Sequence, residues 1–202
     1  MKIYSTRLCL SSISIEDAED IYNEIVFSRI ELQPWLPWVT DSFSLEDEKR
    51  FIQESNQKMF ENESFTFSIR ERTTNQLIGT IGTHPIEWGN QSTAIGYWTS
   101  SRFTKKGYAT ESTLLLLEFL ICELKLHRVS ATAAKKNIPS NRVIEKLGFR
   151  VEGELLQAYK VGNSWQDLVS YAILDWEYKG KRKELRETFL VGEAPKIKFE
   201  DF

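Results

Sequence analysis

The stretch FTKKGYATESTLLLLEFL, Phe103–Leu120, sets two lysines, a glycine, an aromatic and two small residues directly before an apolar run. A helix start exposes backbone N–H groups that lack internal partners, together with the positive end of the macrodipole. Gly107 lets a ligand approach the backbone, and Ala109 and Thr110 are too small to wall it off. Lys105 and Lys106 add positive charge at the same place. Together they suit a phosphate ester. The chain lacks the G-x-x-x-x-G-K-[ST] pattern of nucleoside triphosphate hydrolysis and the G-x-G-x-x-G pattern of dinucleotide binding.

Three strand candidates precede this loop: SFTFSIRE (64–71), QLIGTIGTHPIE (76–87) and QSTAIGYWTS (91–100). TTNQ and EWGN between them have turn composition. The long helix is expected over 107–124, followed by a strand over 127–135 and a short helix over 138–148, closed by Gly148. Residues 149–161 and 165–174 read as a strand pair around GNS. Near the N-terminus, TRLCLSS (6–12) alternates like a strand. Ser14 then caps a helix, with Asp17 three residues on and Ile15, Ala18, Ile21, Tyr22 and Ile25 at helical spacing. Pro34 and Pro37 break the pattern before a second helix, Leu45 to Phe60, whose Asp47, Glu48 and Glu54 are expected to face water. From Trp176 onward the mixed charges predict a solvated helix and tail. The order βαα-βββ-α-β-α-ββ predicts a single α/β or α+β domain.

The chain has 202 residues, 41% hydrophobic and 27% charged, with a formal net charge of -3. That balance weighs against a nucleic-acid partner. The longest apolar run, Leu114 to Cys122, contains Glu118 and is too short for a membrane span. Cys9 and Cys122 read as free thiols, no metal site is expected, and the first residues lack a signal-peptide core, so the expected location is cytoplasmic.

Thr104-x-x-Gly107-x-Ala109 resembles the pyrophosphate loop of the GNAT superfamily of N-acyltransferases, Q/R-x-x-G-x-G/A, except at its first position. LKLHRVSATAAKKNIPSNRVIEKLGFRVEGEL (124–155) resembles the second half of the same region: a strand, N-x-x-S, a helix ending K-L-G-F, and a strand opening with E-G. IGYW and WLPW are similar to segments of the branch that acetylates ribosomal-protein N-termini. The resemblance implies a central mixed, mostly antiparallel sheet that splays, flanked by helices. It also implies a domain over 1–178 with a charged C-terminal extension over 179–202.

The resemblance further implies acetyl-CoA as donor and a primary amine as acceptor, either a peptide N-terminus or a small amine. The pyrophosphate would rest on the loop of Lys105, Lys106, Gly107, Tyr108, Ala109 and Thr110. The pantetheine would pair with the strand at Tyr97, Trp98 and Thr99, and Gly96 would permit close approach. Asn137 would cap the helix it precedes and contact coenzyme A. Ser140 would assist the departing thiolate, a task that Tyr159 or Tyr171 performs in the alternative. Trp35 and Trp38 would line the acceptor side. Two positions that are often acidic in relatives are Ala94 and Tyr159 here, which leaves Glu87 and His84, or a water relay, to take the amine's proton. Glu111 suits the helix dipole and is assigned no catalysis. Two rival readings stay open: a noncatalytic acyl-CoA-binding module, and an RNA- or ribosome-associated protein using Lys179–Lys183. A homodimer is the assembly to test.

Overall fold

The computed structural model describes residues 1–190 and 196–198, the last three by backbone alone. β1 (Lys2–Tyr4) and β2 (Leu8–Ser12) lead into α1 (Ala18–Phe27), α2 (Arg29–Leu32) and α3 (Leu45–Phe60). β3 (Thr66–Glu71), β4 (Leu77–Thr83) and β5 (Ser92–Thr99) follow. Next come α4 (Tyr108–Leu117), β6 (Arg128–Ala134) and α5 (Ile138–Lys146). β7 (Arg150–Val161), β8 (Ser164–Leu174), α6 (Asp175–Phe189) and β9 (Lys196–Lys198) complete the chain. The strands form one sheet in the order β7-β8-β6-β5-β4-β3-β2-β1-β9. Every neighbouring pair is antiparallel except β5 and β6.

Strand alternation, with a bulge at Ile78 that shifts the phase of β4, divides the core into two. Leu77 and Trp98 face α1 and α3, where they join Ile21, Ile25 and Ile52. Ile78, Ile81 and Ile95 face the opposite way, toward the Leu114–Leu117 run of α4. α4 is buried on nearly every side, which is why its sequence shows no polar stripe. The anticipated Ser14–Asp17 pairing forms, and Ser44, which was not anticipated, closes a like pairing before α3. The Ser14 N–H donates to Asp17 Oδ2 at 3.0 Å, and the Ser44 N–H donates to Asp47 Oδ2 at 3.0 Å.

Several expectations need correction. The first strand begins at Leu8 instead of residue 6, and β1, too short to show a period, pairs Ile3 with Leu10. The long helix turns π-helical over Glu118–Glu123. Glu48 does not face water: Glu48, Ile52, Ser55 and Met59 form the inward stripe of α3. The charged C-terminal helix is not solvated all round, because Tyr178 and Leu185 are buried against the main core. A boundary after residue 178 therefore falls inside α6, and part of the 179–202 segment lies outside the described residues.

Candidate active site

The parallel pairing of β5 with β6 runs only from Ser92↔Arg128 to Ile95↔Ala131. Beyond it β5 stays with β4, where Gly82 pairs with Gly96 and Gly79 with Thr99. β6 stays with β8, where Ala134 pairs with Leu168. The sheet therefore opens as the resemblance implied. Among the described residues no strand pairs with the Gly96–Thr99 edge on its β6 side. A Cβ at Gly96 would meet nothing nearer than His84 Nε2 at 4.0 Å, so the sheet face above this glycine is open toward the cleft that both residues line. The side chains of Tyr97 and Trp98 pack on opposite faces. Along this edge the backbone has no strand partner on the β6 side among the described residues.

The loop that opens α4 lies just past this edge. Lys105 has φ 62° and Gly107 has φ 81°, both in the left-handed region, and Gly107 forms the N-cap of α4. The N–H groups of Tyr108, Ala109 and Thr110 open the helix and have no acceptor one turn back. Glu111 holds the loop from beneath. Its fully buried carboxylate accepts from Ser5 Oγ at 2.5 Å and from Arg7 Nε at 2.8 Å, and Arg7 Nη1 also donates to the Lys106 carbonyl at 3.2 Å. Lys105 and Lys106 are exposed. The Tyr108 side chain is buried and its hydroxyl donates to Glu71, so this residue faces the loop with its N–H alone.

Asn137 caps α5, its Oδ1 accepting from the Ser140 N–H at 3.2 Å. The Ser140 hydroxyl stands 3.1 Å from the Tyr97 hydroxyl. Burial pushes the Tyr97 phenol up to about 12, so both hydroxyls of this pair keep their protons at neutral pH and either can donate to the other. Sequence reasoning considered Tyr159 and Tyr171 for a tyrosine role and passed over Tyr97. Tyr171 is committed elsewhere, to Asn141 Oδ1 at 2.7 Å. Nothing local marks Tyr97, because its partner arrives from α5.

A cleft of about 840 Å³ opens between α3, the segment around Trp38, the ends of β4 and β5, and β7. Trp38, His84, Gly96, Tyr97 and Tyr159 line it. Trp35 and Glu87 do not. Trp35 is half-buried, and Glu87 is exposed in the β4–β5 turn, where it accepts from Asn90. Sequence reasoning missed Glu48, which lines the cleft from α3. The inward phase Glu48–Ile52–Ser55–Met59 was the signal that could have found it.

Residues 7–150 match the family model described as Acetyltransferase (GNAT) domain. The chain belongs to the GNAT acetyltransferase family. The GNAT match spans Arg7, the loop that opens α4, Asn137 and Ser140, and stops short of Tyr159 and α6. The Bacillus subtilis protein named uncharacterized N-acetyltransferase YnaD is 32% identical over 179 residues, 88% of this chain and 99% of its own. The ribosomal-protein-serine acetyltransferase of Escherichia coli is 26% identical over 168 residues, 83% of this chain and 93% of its own. A solved GNAT-family acetyltransferase of Bacillus anthracis superposes with a TM-score of 0.75 at 30% identity, covering 87% of this chain and 99% of that one.

Proposed function

We propose that this GNAT enzyme moves an acetyl group from acetyl-CoA to a primary amine, with a peptide N-terminus of the ribosomal-protein type as the acceptor class. The opening of β5 from β6, with the anion loop at its end, is the observation that carries the reading. The N–H groups of Tyr108, Ala109 and Thr110 hold the pyrophosphate, with Lys105 and Lys106 beside it. The free backbone of Gly96–Thr99 pairs with the pantetheine amides and polarises the thioester carbonyl. The amine nitrogen attacks the carbonyl carbon directly, and the C–S bond breaks as the C–N bond persists. Ser140 Oγ donates to the sulfur as charge builds there, and the Tyr97 hydroxyl supports Ser140 in turn. Alignment of the two substrates supplies much of the acceleration. The ribosomal choice of acceptor rests on the name of the Escherichia coli relative.

Two measurements test this reading. Calorimetry with coenzyme A should show binding that Gly107→Trp abolishes. An acetyl-CoA turnover screen against a hexapeptide with N-terminal serine, spermidine and an aminoglycoside should find an acceptor. Absence of coenzyme A binding would remove the enzymatic reading. Binding without transfer to any acceptor would leave a noncatalytic acyl-CoA module.

A further inference from the structure

The proton acceptor for the amine is the part of this site that the sequence left open. Ala94 and Tyr159 supply no carboxylate, and Glu87 does not line the cleft. One acid in the cleft stands out. Glu48 is 4% exposed, and among the described residues its Oε1 has no hydrogen-bond partner. The cleft lining mixes the aromatics Trp38, Phe43 and Phe51 with hydroxyl residues such as Ser42, Ser55 and Thr80, yet none of these bonds Glu48 Oε1. Asp47 next to it is occupied, since it closes the Ser44 capping box and pairs with Arg50.

An unpaired carboxylate in such a place destabilises the fold, and a Leu or Met on the same stripe would pack without that penalty. The natural complement of a buried, partnerless carboxylate is a cation that comes and goes. Lys58 lines the same cleft but stands ten residues further along α3, roughly 15 Å away by helical rise. Neither Lys58 nor His84, the two basic residues of the lining, is joined to Glu48, so the cleft leaves room for a cation from outside the chain, and it also reaches Gly96 and Tyr97 at the open edge of β5.

We propose that Glu48 receives the acceptor's ammonium group and takes one proton from it before attack. The inference rests on the acetyl-transfer reading and assigns that reaction its missing base. The carboxylate takes the first proton, and the freed lone pair forms the C–N bond. As the C–S bond breaks, the second amine proton passes to the sulfur by way of Ser140, and Glu48 later returns its proton to water. Burial pushes the Glu48 carboxyl up to about 7, which places it close to the pKa of an α-amine, near 8. The other ionisable groups lining the cleft are Asp47 and Lys58 on α3, His84 after β4, Tyr97 on β5 and Tyr159 on β7.

The test uses the full chain saturated with coenzyme A or acetyl-CoA, and compares it with Glu48→Gln and Glu48→Asp. The probes are a hexapeptide with free N-terminal serine, the same peptide N-acetylated, and spermidine. By calorimetry the parent should bind a free-amine probe and ignore the acetylated peptide, and Glu48→Gln should bind at least about tenfold more weakly. In turnover, Glu48→Gln should lose about a hundredfold or more in kcat/KM. Glu48→Asp should recover part of that loss, and coenzyme A affinity should be unchanged in both variants. The parent's kcat/KM should rise with pH through about 7, and this limb should vanish in Glu48→Gln, leaving only the amine's own titration. Equal amine binding and equal turnover in Glu48→Gln would overturn the assignment, as would a parent that binds neither free-amine probe. Glu48-dependent amine binding without acetyl transfer would support the cation site and sink the enzymatic reading instead.

Discussion

Tyr97 and Ser140 lie 43 residues apart in the chain and 3.1 Å apart in space. If their hydroxyls act as one relay, Tyr97→Phe and Ser140→Ala should each lower kcat about tenfold or more. The double variant should then be no slower than the slower single variant. Additive losses in steady-state kinetics would separate the two residues. Glu48 gives a prediction of opposite character, on stability. Its pKa is higher folded than unfolded, so at low pH it is protonated in both states and nothing is lost. As pH rises from the ordinary carboxylate range through about 7, the folded state loses on the order of 3 kcal/mol. Glu48→Gln should therefore melt several degrees above the parent at pH 8, with the gap closing below pH 4. A gap independent of pH in calorimetric scans would contradict this. The serine was visible in the sequence through N-x-x-S. Its tyrosine was not, because its partner arrives from α5; the glutamate's inward phase on α3 was legible, but its lack of a partner was not.

At the scale of elements, the β4–β5 contact decides where the sheet can open. A Cβ at Gly79 would fall 2.1 Å from the Trp98 carbonyl oxygen and 2.8 Å from the Thr99 Cα. Both are backbone atoms of the strand that carries the open edge, so they yield only if β5 moves. Gly79→Ala should cost roughly 2–4 kcal/mol in urea denaturation and weaken coenzyme A binding as well. Unchanged stability would mean that the strands are less tightly held than their register implies. α3 was legible at both ends because a capping box marks its start and a steady period carries it to Phe60. The π-helical end of α4 was not legible, because one apolar run looks alike under either hydrogen-bond spacing.

Across the whole molecule, the C-terminal helix closes the core. Glu118, buried on α4's continuation, accepts from Tyr178 Oη at 2.6 Å and from Arg182 Nε at 3.0 Å. Burial draws its carboxyl upward, but the hydrogen bonds from Arg182 and Tyr178 outweigh that and hold it below the usual range. This contribution is present above the ordinary carboxylate range and is lost as pH falls through the depressed value. Glu118→Ala leaves Tyr178 without its acceptor and should cost about 2–3 kcal/mol in chemical denaturation. Removal of residues 179–202 also strips away Leu185, Leu190 and Arg182 and should abolish a cooperative thermal transition. A sharp transition in that truncated chain would restore the boundary after residue 178.

Legible in the sequence were the run of elements from β2 to β8, the caps at Ser14 and Asn137 and the loop at Gly107, because propensity, period and capping act between residues close in the chain. Packing between distant segments set how far β5 and β6 stay together, that Tyr97 meets Ser140, and that Glu48 lines the cleft with its Oε1 unpaired. Periodicity reports which side of an element turns inward. What that side meets depends on packing between segments far apart in the chain, and the desolvation and hydrogen bonding that set the chemistry exist only once those segments are in contact.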